Sequence, residues 1–232
     1  AEVTMNGSLE LLDVALSMPD FPYRMDHGSG ILELKSGRLT ARNLRAFASG
    51  RQVNFQVDIT NPGERAVGTV VIRVPDAVPI DERLMAAFDP RTREEVRKFK
   101  PRGGLTFLGV YRRRDPTKPF SQILDVGLNK CSVRHRDFPY RLEKIVGVLK
   151  FRDGSWSCRD VQCRNRSAQV TVSGSWEDSS RRRVGQLKFD CRDVPLDEEL
   201  RDSIVTVSRS LGRSWSQLRP RGAIDQMRMV LS

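Results

Sequence analysis

The chain repeats itself, and the length of the repeat limits its fold more than any other feature. Asp20-Phe21-Pro22-Tyr23-Arg24 returns 117 residues later as Asp137-Phe138-Pro139-Tyr140-Arg141. At the same spacing Gly30 falls on Gly147, Gly37 on Gly154, and Arg42-Asn43-Leu44 on Arg159-Asp160-Val161. Val78-Pro79-Ile80-Asp81 then matches Val194-Pro195-Leu196-Asp197 at a spacing of 116, and Phe99-Lys100-Pro101-Arg102-Gly103 matches Leu218-Arg219-Pro220-Arg221-Gly222 at 119. Solenoid repeats run to roughly 20–50 residues, so a period this long predicts that each copy is a small domain or a long multi-strand module, large enough for an apolar core of its own. The 232 residues divide into residues 1–102, a first copy lacking its opening strand; 103–221, a second copy; and 222–232, the opening strand of a following copy.

Within a copy the pattern is mostly strand. Val53-Asn54-Phe55-Gln56-Val57-Asp58-Ile59 alternates apolar and polar, as does Ala168-Gln169-Val170-Thr171-Val172-Ser173 at the equivalent place, which is the signature of a sheet with one face buried. Similar runs cover 9–16, 30–34, 39–46 and 67–74, then 124–133, 146–151, 156–163 and 184–189. Lys35-Ser36-Gly37, Asn61-Pro62-Gly63 and Asp153-Gly154-Ser155 lie between them and carry turn chemistry. One helical stretch is predicted per copy. Leu84, Phe88, Val96 and Phe99 recur at helical spacing after Pro79 and Asp81, and Leu200, Ile204, Val207, Leu211, Trp215 and Leu218 do so after Pro195 and Asp197. Asp81 and Asp197 sit where a helix start favours a carboxylate, and Pro101 and Pro220 stop each run. The expected fold is mainly β with some helix: two tandem antiparallel meander sheets of about five to six strands, each followed by a helical segment on or beside its sheet.

Nothing in the sequence reads as a catalytic centre. Two His residues offer little acid–base equipment, and no phosphate-binding glycine loop or nucleophile-elbow serine occurs. Cys131, Cys158, Cys163 and Cys191 all lie in the second copy and align with Val14, Ala41, Ala46 and Pro75. Three of the four replace small apolar residues, so buried thiols are expected. Neither His27 nor His135 completes a zinc-like spacing with them. In an oxidising compartment one or two disulfides remain open to them. No metal, cofactor or catalytic residue is assigned. The Phe21-Pro22-Tyr23 and Phe138-Pro139-Tyr140 motifs read as structural corners: proline ends ladder pairing and the two rings pack at a strand edge. Arg24 and Arg141 would then cap the corner from solvent.

Forty Lys and Arg against 29 acidic residues leave a net charge of +11, enough to attract a polyanion or an anionic membrane surface. Arg112-Arg113-Arg114 and Arg181-Arg182-Arg183 concentrate some of it in predicted hairpin loops. A nucleic-acid-binding sheet places aromatic residues on a strand face beside its basic ones, and no strand here carries such a pair. Nucleic acid is therefore not expected as a partner. No apolar run approaches the roughly 20 residues that span a bilayer.

The order of these motifs resembles the repeats of AsmA-like bacterial envelope proteins, of the large kind found in planctomycete-type bacteria. It consists of a strand, Phe-Pro-Tyr, a two-strand segment with Gly30 and Gly37, and a Val-Pro-x-Asp-x-x-Leu helix closed by Pro-x-Gly. The resemblance covers nearly the whole chain. It implies a periplasmic protein held at the inner membrane by a segment outside this chain. It also implies neighbouring repeats of the parent protein, and an apolar groove that moves phospholipid or serves outer-membrane assembly. Phospholipid is the partner it suggests, and the positive charge adds an anionic membrane surface or lipopolysaccharide. The family supplies no catalytic residues. Alternation suits such a groove, but it also suits a sealed two-layer domain, and a helix lying across the sheet would favour the sealed form. The other functional class open to the chain is a module that binds a protein or polyanion through its basic outer face.

Overall fold

A computed structural model of the chain describes residues 6–18, 21–178 and 183–231. The first copy forms β1 (Gly7–Met18), β2 (Phe21–Lys35), β3 (Arg38–Ala48), β4 (Arg51–Thr60), β5 (Val67–Pro79), α1 (Glu82–Ala87) and α2 (Pro90–Lys98). β6 (Arg102–Arg113) leads into β7 (Ser121–Val133), β8 (Leu142–Arg152), β9 (Ser155–Asn165), β10 (Ala168–Asp178), β11 (Arg183–Pro195), α3 (Glu198–Val207), α4 (Arg209–Leu218) and β12 (Ala223–Leu231). The strands lie side by side in chain order as one twelve-stranded antiparallel sheet. Two separate tandem sheets are not confirmed. β6 follows the helices and takes the place beside β5, so hydrogen bonding continues through the repeat boundary and does not restart there.

The chain forms two compact units. One comprises the chain through Pro79 with Leu105–Val126 and Lys150–Gly154; the other comprises Ile80–Gly104, Gly127–Leu149 and the chain from Ser155 onward. In the first unit, register turns alternation into rows. Leu34, Leu39, Ile59 and Gly68 are cross-strand partners, as are Leu44, Phe55 and Ile72. Their neighbours Glu33, Thr40, Asp58 and Thr69 form a polar row, which must lie on the opposite face because side chains alternate. The second unit repeats the arrangement. Trp156, Trp176 and Gly185 form one row, Val161, Val172, Phe189 and Met229 another, and Cys163, Val170, Cys191 and Met227 a third.

The repeat extends to the backbone, even at two positions where the residue types do not match. Asp13 and Lys130 have φ of 56° and 49°, His27 and Lys144 54° and 51°, and Asn43 and Asp160 51° and 53°. Each pair is 117 residues apart and lies inside a strand. Left-handed residues at such points mark β-bulges, and register shifts occur around Asp13, His27 and Asn43. The bulges explain why the apolar pattern of β2 and β3 changes phase partway along each strand. They also let β2 run from Phe21, nine residues before the predicted start at Gly30.

Each copy holds two short helices where one longer run was expected. Asp89 accepts hydrogen bonds from the Arg91 and Thr92 amides, both at 3.0 Å, and Pro90 occupies the first helical position of α2. An aspartate followed by proline is a helix start, so the run breaks at Phe88. In the second copy Ser208 ends α3 and caps α4 through the Leu211 amide. The last carbonyls of α1 are not left bare: the Arg93 guanidinium donates to the oxygens of Met85, Ala86 and Phe88 at 2.9, 2.7 and 2.8 Å. The Ile80 amide donates to the Gly103 oxygen and the Leu196 amide to the Gly222 oxygen, each at 2.9 Å. Those two bonds tie off the helical insertions at equivalent points.

Candidate functional site

The recurring motif residues lie at strand ends and helix starts. Tyr23 is 6% exposed and its hydroxyl lies 3.0 Å from Ser49 Oγ. Phe21 stacks beside it with ring centroids 6.1 Å apart. Pro22 lies within β2, as its second residue, so the corner opens a strand and does not terminate one. In the second copy Phe138 and Pro139 stand ahead of β8, and the Phe138 and Tyr140 rings are 6.2 Å apart. Pro79 and Pro195 are the last residues of β5 and β11. Asp81 accepts from the Leu84 amide at 2.9 Å and Asp197 from the Leu200 amide at 3.0 Å, as helix caps do. Arg24 pairs with Asp26 and Arg141 with Glu143, both at 2.8 Å. Each of the ten motif residues thus lies at or just ahead of a strand end or at a helix start.

The two tyrosines differ in one respect. Position 166, equivalent to Ser49, is an arginine whose guanidinium turns to Asp197 at 2.6 Å. Tyr140 is 8% exposed and its hydroxyl has no hydrogen-bond partner. Burial and the nearby Asp197 and Glu199 carboxylates push its ionisation up to about 12. Asn165 Oδ1 is also buried without a partner, because its Nδ2 is held by the Arg141 carbonyl at 2.7 Å. Asn165 lines a cleft of about 460 Å³ whose walls carry Arg134, Arg141 and Arg166 against Glu143, Glu199 and Asp202. Those charges balance, which gives the cleft no preference for either sign of ligand.

The cysteines are buried free thiols. Cys163 and Cys191 both face Val170, one from each neighbouring strand. By register the row Cys163, Val170, Cys191 corresponds to Ala46, Val53 and Val74, so Cys191 takes the place of Val74, not of Pro75. Burial raises all four thiols above the ordinary range, and Cys163, next to Cys191, reaches about 12.

Two arginines of the first cluster are engaged and are not free loop charges. Arg112 and Arg113 belong to β6. Arg112 donates to Thr69 Oγ1 at 3.3 Å. Arg113 donates to the Ala66 oxygen and to the Glu64 oxygen and lies 4.7 Å over the Phe120 ring. Arg181 and Arg182 of the second cluster, and Asp20 of the first motif, lie outside the described residues. On the outer face of the first unit, Arg38 grips Asp58 through two hydrogen bonds of 2.8 and 2.7 Å, and Arg42 meets Glu33 at 2.9 Å.

The apolar face is a further feature among the described residues. Toward the helical end it is closed: Ala46, Val53 and Val74 are 0%, 2% and 8% exposed. Toward the hairpin turns it opens. Leu32, Leu34, Leu39, Val57, Ile59 and Val70 are only half-buried, as are Trp156, Trp176, Leu187 and Phe189 in the second unit. The Trp156 and Trp176 rings stack with centroids 6.2 Å apart and planes 10° from parallel. Sequence reasoning missed this pair, because their 20-residue separation hides a contact that only the β9–β10 register makes. The chain matches no model of a known protein family, no characterised protein and no solved structure.

Proposed function

We propose that the chain is a non-enzymatic β-rich repeat module of a bacterial cell-envelope protein, serving lipid transfer or outer-membrane assembly by offering an apolar sheet face to acyl chains. The observation that carries this reading is the row structure of that face. From Leu9 to Val70 in one unit and from Trp156 to Met229 in the other, apolar side chains run from strand to strand without a charged interruption. Their hairpin-ward half lacks the burial that the helical end has. Half-covered apolar surface of this extent in a soluble chain marks an interaction site. On the opposite face of the first unit Arg38 and Arg42 are already held by Asp58 and Glu33, so those two cations are not free for a polyanion.

Native mass spectrometry of the purified chain, followed by solvent extraction, tests the reading. Phospholipid at a defined stoichiometry is expected, and Val57→Asp, at a half-buried position on the apolar face, should abolish it while circular dichroism stays strand-like. A chain that carries no lipid and takes up none from phospholipid vesicles would remove the groove and leave a sealed interaction module.

A further inference from the structure

We propose that the cleft lined by Asn165 in the second unit binds a small zwitterion, a phosphoethanolamine group, either free or at the head of a phospholipid. None of the cleft's lining residues belongs to the apolar rows, and only the choice of phosphate over carboxylate rests on the lipid reading. The repeat isolates the site. Asn165 and Arg166 stand where the first copy has Ala48 and Ser49, Arg134 where it has Ser17, and Glu199 and Asp202 where it has Arg83 and Ala86. Two alanines have thus become hydrogen-bonding side chains, and three polar positions have changed charge. The scaffold around them is kept: Tyr23 and Tyr140 are both buried, and Asp81 and Asp197 both cap a helix. Changes that the shared scaffold does not require, gathered around one cleft, point to a site added to it.

Asn165 is 4% exposed. Its Nδ2 donates to the Arg141 carbonyl, which sets the orientation of the amide and leaves Oδ1, an acceptor only, without a donor. Buried acceptors are normally paired, so this oxygen suits an N–H carried in by a ligand. Arg166, the next residue, has its side chain 65% exposed and reaches across to Asp197; turning it into solvent opens the way to Oδ1. The walls around that oxygen carry both signs. Glu199 already accepts from the Arg141 amide at 3.1 Å. Arg134 gives its Nε to the Pro139 carbonyl at 3.0 Å and pairs with no carboxylate among the described residues, which leaves the outer nitrogens of its fork for an anion. A ligand of one charge would leave the opposite wall unanswered. A zwitterion meets both: its primary ammonium donates to Asn165 Oδ1 beside Glu199, and its phosphate is taken by Arg134.

Isothermal titration calorimetry on the whole chain reads the site, and phosphoethanolamine should bind saturably. Phosphocholine, whose quaternary nitrogen has no N–H, should bind at least about tenfold more weakly, as should ethanolamine or inorganic phosphate alone. Asn165→Ala with Arg166→Ser restores the residue types of the first copy and offers Tyr140 the hydroxyl partner that Ser49 gives Tyr23. That variant should fold and lose affinity by at least about tenfold. If it does not fold, the ligand comparison on the unaltered chain decides. Val57→Asp, aimed at the acyl-chain face, should leave the affinity for free phosphoethanolamine unchanged, so the two readings fail separately. Phosphatidylethanolamine vesicles that compete with the free compound put the group on a lipid; vesicles without effect put it on a soluble ligand. Phosphocholine binding as tightly as phosphoethanolamine, affinity that survives the double substitution, or no binding from either source would overturn the proposal.

Discussion

Tyr23 and Tyr140 occupy the same place in two copies of one unit, yet only Tyr23 has a partner for its hydroxyl. A buried hydroxyl without a partner costs about 1–3 kcal/mol, and one with a partner contributes about 1. Tyr23→Phe should therefore destabilise by about 1 kcal/mol, and Tyr140→Phe should be neutral or stabilising by a similar amount, read from urea midpoints. The buried ionisable groups add a pH dependence of definite sign. The Cys163 thiol and the Tyr140 phenol keep their protons more tightly when folded, both near 12 against ordinary values of 9 and 10. The unfolded chain releases those protons first, so the stability they contribute is complete below about pH 9 and is lost as pH rises toward 12. Unfolding midpoints should fall steeply over that range, and Cys163→Ala should flatten the fall relative to its own value at neutral pH.

The helices are short and depend on their caps. Asp197 ends β11's connection by holding the Leu200 amide, pairs with Arg166 at 2.6 Å, and helps raise the Tyr140 ionisation. Asp197→Ala removes the cap and should cost about 1–2 kcal/mol. Asp197→Asn keeps a capping oxygen and loses the charge, so it should cost clearly less while moving the Tyr140 phenol downward. Spectroscopic titration of tyrosine checks the second effect and denaturation the first. The helix start at Asp89-Pro90 and the cap at Ser208 are local signals, although the sequence predicts one run per copy. The apolar spacing of Leu84, Phe88 and Val96 hid them by suggesting a single run. The strands were legible although several run longer than predicted, β2 by nine residues at its start, because alternation reports which residues share a face. The bulges were not, since Asp13 and Lys130, or His27 and Lys144, share no side-chain chemistry that marks a left-handed backbone.

The whole molecule carries +11, and its cross-strand ion pairs do not cancel that excess. Net repulsion disfavours the compact state and is screened by salt, with a Debye length near 30 Å at 0.01 M falling to about 8 Å at 0.15 M. The thermal midpoint should therefore rise modestly between those two conditions. A fall would mean that pairs such as Arg38 with Asp58 outweigh the general repulsion.

The sequence by itself determined that the chain is a duplicated, β-rich unit with buried thiols, because repetition and alternation are properties of residue order. It also marked Asp81 and Asp197 as helix starts, since a cap is a local contact. Tertiary structure alone decided that the twelve strands form one sheet, that Trp156 meets Trp176, and that Tyr140 lacks the partner Tyr23 has. Each of these depends on which strand lies beside which and in what register. Strand register is fixed by hydrogen bonding between segments far apart in the chain, a relation that local pattern does not contain.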